Sequence, residues 1–239
     1  MGSAVRIACW SGPRNLSTAM LYAFGNRADF AVLDEPFYAA YLAATGLDHP
    51  MREEVLAAQP TDPAIVARQC GSDPVPGKKP HLYMKHMAQH MLPGFPLDWT
   101  AACTNVHLIR HPARVVASYA AKRERPTLDD IGYARHAALF ERFPGPVLDS
   151  ADIRADPEGM LRRLCAEIGL TDDPAMLSWA AGPKPWDGVW ASHWYGAVHL
   201  STGFSGAEGP LPTLDGGDAR LVEEALPFYE AMRSHALCP

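Results

Sequence analysis

Short, largely apolar runs alternate along this chain with longer stretches in which apolar residues recur every three or four positions. The runs lie at 5–10, 31–34, 81–87, 104–109 and 146–149. Most are continuous rather than alternating, the pattern of strands covered on both faces of a parallel sheet. Helical spacing predicts helices over 15–26, 36–45, 51–58, 63–70, 112–124, 127–143 and 156–168. The alternation of the two predicts a layered α/β fold with right-handed crossovers. Beyond residue 170 the strand pattern stops, and 173–181, 190–200 and 218–235 read as helical or irregular. Gly and Pro gather at 71–80 and 203–217 and mark loops. The expectation is one domain over 1–239. It is a three-layer α/β/α arrangement around a central, mostly parallel sheet, similar to the P-loop nucleotide-binding architecture. A helical C-terminal extension is expected over the sheet's carboxyl edge, where ligands of open α/β sheets bind.

Two strand ends carry chemistry. The first strand runs into Ser11-Gly12-Pro13-Arg14-Asn15-Leu16-Ser17-Thr18 and then into the apolar helical run Ala19–Phe24. A strand, a tight turn and a helix start bring free backbone N–H groups and the positive end of a helix dipole to one point, a site for a phosphate-like anion. Arg14 adds a planar donor fork, and Ser17 and Thr18 add hydroxyls in the first turn. The spacing departs from Gly-x-x-x-x-Gly-Lys-Ser/Thr, so this is an anion cradle without the usual lysine. The second strand end is His107-Leu108-Ile109-Arg110-His111-Pro112-Ala113-Arg114-Val115-Val116-Ala117-Ser118. Pro112 suits a helix start, and Arg114 and Ser118, four apart, share a helix face. Arg110 is either a second anion ligand or a strand-end residue in a surface ion pair.

Composition narrows the ligand. With 21 Lys and Arg against 27 Asp and Glu, the net charge is −6, so an anion must be held by locally placed cations and nucleic acid is not expected as a partner. Five Cys without paired spacing suit a reducing compartment. The first strand begins at about residue 5, which leaves no room for a signal peptide, and no apolar run approaches ~18 residues. Met1-Gly2-Ser3 starts like an acylation motif, but Arg6 stands where Ser or Thr is wanted. A soluble, cytoplasmic protein without membrane insertion is expected.

Three blocks together resemble the sulfotransferases that use 3′-phosphoadenosine 5′-phosphosulfate (PAPS). Arg110-x-Pro112-x-x-x-Val116-x-Ser118 resembles their 3′-phosphate motif, and Ser11–Thr18 resembles their 5′-phosphosulfate loop. The stretch from Val147 through Asp156-Pro157-Glu158 into Leu161-Arg162-Arg163-Leu164 resembles the family's acidic-leucine loop and Asp-Pro-Glu helix start. The blocks follow the family's order over about residues 5–170. Asn15-Leu16 replaces the family's Ser-Gly pair, and leucine resists positive φ, so the turn is expected to differ from the glycine version. Pro13 also removes one backbone donor.

The resemblance implies in-line transfer of a sulfuryl group from PAPS to a hydroxyl or amine of a small-molecule acceptor, without a metal. Gly12, Pro13, Arg14, Asn15, Leu16, Ser17 and Thr18 would hold the 5′ side of the nucleotide, and Arg110 and Ser118 its 3′-phosphate. Arg14 would also stabilise the leaving phosphate. For the base there are two candidates. Glu35 follows the second strand and is expected to open a helix, with Asp34 as its N-cap. His86 follows Lys85 at the end of the third strand, and alternation sends their side chains to opposite faces. Lys85 itself is a candidate for the bridging oxygen or the acceptor, or else a solvated strand end. His81, His86 and His90 invite a metal reading but lack a nearby carboxylate ligand. Trp186, Trp190 and Trp194 either stack on adenine, line an acceptor pocket, or pack the extension onto the sheet. Lys122, Arg123 and Arg125 read as a solvated helix end, or as one more 3′-phosphate ligand. Two other readings stay open: a small-molecule kinase using the same cradle, and a nucleotide-binding sensor without turnover.

Overall fold

In the computed structural model, which describes residues 5–120 and 126–238, the five apolar runs are five strands. The N-terminal half contains β1 (Arg6–Ser11), α1 (Ser17–Gly25), β2 (Phe30–Asp34), α2 (Tyr38–Thr45), α3 (Arg52–Ala58), α4 (Pro63–Gly71) and β3 (His81–Met87). Then follow β4 (Thr104–Ile109), α5 (Pro112–Ala120), α6 (Leu128–Ile131), α7 (Tyr133–Arg142), β5 (Val147–Asp149), α8 (Ser150–Ala155) and α9 (Pro157–Glu167). The chain closes with two single-turn helices, α10 (Ala191–Trp194) and α11 (Gly196–His199), and the long α12 (Gly216–Arg233). The strands lie in the order β2-β3-β1-β4-β5 with every neighbouring pair parallel. Lys122, Arg123 and Arg125 lie outside the described residues.

Both faces of the sheet are covered, which is why its strands read as continuous apolar runs. On β1 the side chains of Ile7 and Cys9 join α1 and α9 through Met20, Leu21, Phe24, Leu161 and Leu164. Ala8 and Trp10 face the other way, toward Val66, Cys70, Trp99 and Leu139. The result is a three-layer α/β/α protein, as the pattern predicts.

One local expectation is corrected, and two stretches are defined more closely. The stretch 127–143 is two helices rather than one, because Gly132 takes a left-handed conformation (φ 72°) between α6 and α7. Residues 150–155 form a helix that the apolar pattern does not announce; the Asp149 carboxylate caps it by accepting from the Ala151 N–H at 2.8 Å. Of 173–181 only a 3₁₀ turn over Pro174–Leu177 is helical.

The C-terminal extension divides in two. Segment 184–205 crosses the carboxyl edge of the sheet, and the Gly188 N–H donates to Asp34 Oδ2 at 3.1 Å. By contrast, α12 packs against α5 and α6 through Leu221 and Ala225, away from that edge. Its far end is tied to β5, where the Tyr229 hydroxyl donates to Asp149 at 2.7 Å. No helix among the described residues is long and apolar enough to cross a membrane.

The core also holds neutral histidines. His86 is 1% exposed, stacked on Trp10 at 4.6 Å between centroids, with neither ring nitrogen hydrogen-bonded. Burial pushes its pKa down to about 3. His107 and His136 stack on each other, and burial lowers His107 to about 4 and His136 well below the usual range. A histidine whose folded pKa is depressed stabilises fully above the unfolded value of ~6.5 and loses that contribution as pH falls toward the folded value. Each such group steepens the acid limb by about 1.4 kcal/mol per pH unit. Replacing His86 by Phe is therefore expected to raise Tm at pH 5 more than at pH 8, with one proton fewer taken up on unfolding between those values. An equal change in Tm at both pH values contradicts this placement.

Candidate active site

The turn after β1 is built around a close approach. A Cβ on Gly12 would sit 2.7 Å from the Ile131 carbonyl oxygen, so only glycine fits there without a shift. Arg14 (φ 62°) and Leu16 (φ 63°) are both left-handed. Leucine thus takes the positive φ that its side chain was expected to refuse. Two anchors fix the turn from below. The Asn15 amide donates to the Leu108 carbonyl at 3.1 Å. The Ser150 hydroxyl lies 2.9 Å from the Asn15 carbonyl and 2.8 Å from that of Ile109. Strain of about 1–2 kcal/mol per left-handed residue is held by these bonds and by Leu16 packing on the core. The turn delivers α1 with no side-chain cap and no acid in its first turn. Its first amides have no intrahelical partner, so the helix start suits an anion.

Arg110 reaches the same place from the end of β4. Its Nη1 donates to the Arg14 carbonyl at 2.8 Å, so the two predicted anion elements are joined directly. The Arg110 carbonyl in turn accepts from the Tyr133 hydroxyl at 2.5 Å. The remaining edge of the guanidinium, Nε and Nη2, donates to Glu208. Arg114 Nε and Arg154 Nη1 lie 2.7 and 3.0 Å from the same carboxylate.

The third component is a buried charge cluster at the ends of β2 and β3. Lys85 Nζ donates to Asp34 Oδ1 at 3.0 Å, Glu35 Oε1 at 2.6 Å and Tyr195 Oη at 2.5 Å, which uses all three of its protons. Tyr195 Oη also accepts from Trp190 Nε1 at 3.1 Å and donates to Asp34 at 2.7 Å. Burial raises the Glu35 pKa, and the nearby Asp34 carboxylate adds to the rise against the pull of Lys85. Burial alone would lower Lys85, but the two carboxylates outweigh it and the net direction is upward. Lys85 is therefore a bound ammonium rather than a solvated strand end.

The expected helix start is corrected here. Glu35 (φ 43°) stands in a turn before α2, which begins at Tyr38 with Phe37 as its N-cap. Asp34 caps nothing in α2; its oxygens are taken by Lys85, Tyr195 and the Gly188 amide. His86 is not brought to this cluster. It points to the opposite face, into Trp10, Phe37 and Trp99, as strand alternation requires. His81 lies at the other end of β3, where Nδ1 accepts from the Val5 amide at 3.1 Å.

One cavity of about 340 Å³ joins these parts. Pro13, Arg14, Asn15, Leu16, Ser17, Thr18, Glu35, Lys85, Arg110 and Ser118 all line it. Gly12 supports the turn from behind. Residues not singled out in the sequence also line the wall: Tyr195, Arg154, Gln89, Tyr38 and Phe204. His90 lines it as well, stacked between Tyr38 and Tyr41 at 4.7 Å from each and kept neutral by burial. No sequence spacing pairs Tyr195 with Lys85 or Glu208 with Arg110, because each contact spans about a hundred residues of chain. Of the three tryptophans, Trp194 lines the cavity with the Arg14 guanidinium 5.8 Å from its ring. Trp190 is buried, and Trp186 covers the end of α1 at Gly25. Among the described residues no group of three or more metal-ligating side chains converges.

A family model described as "Sulfotransferase domain" matches residues 5–236. Among curated proteins, branched-chain-amino-acid aminotransferase-like proteins 1 and 2 of Arabidopsis thaliana are 37% and 35% identical over 236 and 234 residues. Each match covers 96% of this chain but only 42% and 41% of the relative, so the chain spans less than half the length of these proteins. Among solved structures, the sulfotransferase domain of the Synechococcus PCC 7002 olefin synthase superposes with a TM-score of 0.50 at 16% identity, covering 93% of this chain and 95% of that one. The sulfotransferase domain from the curacin biosynthetic pathway gives 0.52 at 13% identity, with both chains fully covered. At these identities the likeness is one of fold.

Removing the central ammonium tests the cluster. Lys85→Met leaves two buried carboxylates uncompensated and is expected to cost about 3–5 kcal/mol at pH 8. The loss shrinks at pH 5, where Glu35 can take up a proton. Adding Glu35→Gln to Lys85→Met should recover much of the loss in thermal unfolding. Strict additivity of the two substitutions contradicts the coupling.

Proposed function

The chain belongs to the family of sulfotransferase domains, and from that premise we propose that it moves a sulfuryl group from PAPS to a hydroxyl or amine of a small-molecule acceptor. The observation that carries the reading is that a single cavity contains an uncapped helix start with Arg14, the Arg110–Ser118 pair, and a buried carboxylate. An anion receptor and a base are thereby within one enclosure. In this reading residues 5–236 act as one catalytic unit in the cytoplasm, where the free thiols of Cys9, Cys70, Cys103 and Cys165 stay reduced.

The donor substrate brings a sulfuryl group on a nucleotide bisphosphate leaving group, and the cavity residues divide the work around it. Amides at the start of α1, with Arg14, Ser17 and Thr18, receive the 5′ side, where negative charge grows as the sulfur–oxygen bond breaks. Gly12, Pro13, Asn15 and Leu16 set the course of that turn. Arg110 and Ser118 hold the 3′-phosphate. Glu35 takes the acceptor's proton as the acceptor oxygen or nitrogen forms its bond to sulfur. Its raised pKa suits a base working nearer neutrality than an ordinary carboxylate. Lys85 and Tyr195 position Glu35 and keep its ionised form tolerable in the buried site. Protein cations supply the charge that a metal supplies in other phosphoryl-type transfers. His86 has no part in this scheme, because it faces the core.

Isothermal titration, with magnesium present only in the ATP arm, tests the donor assignment. Adenosine 3′,5′-bisphosphate is expected to bind more tightly than AMP or Mg·ATP; preference for Mg·ATP contradicts the reading and favours a kinase. Arg110→Ala should weaken the bisphosphate by about ten-fold or more, the value of a charge-assisted bond, and leave AMP nearly unchanged. For Glu35→Gln the expected result is loss of sulfuryl transfer with bisphosphate affinity retained. Full activity in that variant removes Glu35 from the role of base.

A further inference from the structure

The loop after Gly203 lines the cavity through Phe204 and Ser205 and then turns the Glu208 side chain inward. Residues 205–207, 209 and 210 are exposed, yet the Glu208 side chain is only 3% exposed. Its carboxylate collects Arg110 from the end of β4, Arg114 from α5 and Arg154 from α8. The same arginines hold the loop backbone: Arg154 Nε donates to the Gly206 carbonyl at 2.9 Å, and Arg114 Nη2 donates to that of Gly209. One carboxylate against three guanidinium groups leaves a formal excess of two positive charges. A phosphate dianion in place of the carboxylate would lower that excess to one.

We propose that Glu208 is a built-in competitor at the nucleotide site: its carboxylate stands in the subsite of the donor's 3′-phosphate, and a 3′-phosphorylated nucleotide displaces it. The proposal rests on the donor reading given above and extends it. Arg110 offers Nε and Nη2 to Glu208, the edge of its fork that faces away from the Arg14 carbonyl. That is the edge a phosphate would need. Beside Glu208 the loop is held by the arginines rather than by packed side chains. A Cβ at Gly206 or Gly209 would meet nothing within 4 Å, so no packed side chain anchors the loop on either side of Glu208. Further back, Phe204 rests on Trp179 at 5.4 Å and gives the loop a fixed base to swing from. A nucleotide lacking the 3′-phosphate must either leave Glu208 in place or expose three unpaired arginines, and it gains nothing from the second course. Glu208 thus keeps the arginines paired in the empty site and lowers the affinity that Arg110 and Ser118 give to the 3′-phosphate.

Titration of Glu208→Gln and Glu208→Ala with adenosine 3′,5′-bisphosphate and with AMP tests this, after thermal unfolding has shown that both variants fold. The expected result is bisphosphate binding about ten-fold tighter than in the unsubstituted protein, the worth of removing one charge-assisted competitor, with AMP unchanged. Weaker bisphosphate binding would show that Glu208 props the arginines in position and would overturn the proposal. Equal gains for both nucleotides would overturn it too, since they would reflect net charge alone. Inorganic sulfate separates this from a failure of the donor reading. Glu208→Ala should bind sulfate at the vacated arginines even if neither nucleotide binds, whereas no gain in sulfate affinity rejects the displaced-carboxylate account by itself.

Discussion

A single buried ammonium organises the site. Lys85 sits two residues before the end of β3 with every proton committed to Asp34, Glu35 and Tyr195. Three distant parts of the chain meet there: β2, β3 and the segment that crosses the carboxyl edge. Isolated, the ammonium would cost several kcal/mol to bury, and so would either carboxylate. Together they form a cluster that tolerates burial only with all members present. This requirement fixes Glu35 in its left-handed turn and brings Tyr195 and Trp194 down over the cavity. The geometry that holds the carboxylate is therefore the same geometry that closes the pocket.

Each side of the cavity carries counter-charge close by. Lys85 meets Asp34 and Glu35, and three arginines meet Glu208. A chain with a net charge of −6 can in this way present concentrated cations to an anionic ligand without a basic surface. The two sides differ in accessibility. Lys85 is enclosed, and its partners belong to the fold's own strands. Glu208 comes from a loop whose neighbouring residues are exposed, and the arginines are what hold it. His90, neutral between two tyrosines, gives the remaining wall a polar atom without a charge.

The sheet and the strand–turn–helix elements after β1 and β4 were legible because both are local. Continuous apolar runs report strands buried on two faces, and a strand, a turn and a helix start report an anion cradle whatever surrounds them. The place of Arg14, Ser17, Arg110 and Ser118 beyond two strand ends, where they line one cavity, could thus be read from short windows of sequence. The conformation of Leu16 could not. Its positive φ is sustained by Asn15 bonding to β4 and by Ser150 bonding beneath the turn, contacts 93 and 135 residues away. Propensity alone favoured the opposite result. Lys85 gave the same lesson in reverse, since a lysine ending a strand reads as solvated until Tyr195, 110 residues on, is folded over it. The α8 cap was missed because Asp149 reads equally well as a strand end.

The central claim is that one nucleotide with two phosphate groups spans the start of α1 and the Arg110–Ser118 pair. A crystal structure with adenosine 3′,5′-bisphosphate bound tests it most directly. The account predicts the 5′-phosphate against the α1 amides and Arg14, and the 3′-phosphate against Arg110 and Ser118. A nucleotide found with neither phosphate at the start of α1, or lying outside this cavity, would contradict it.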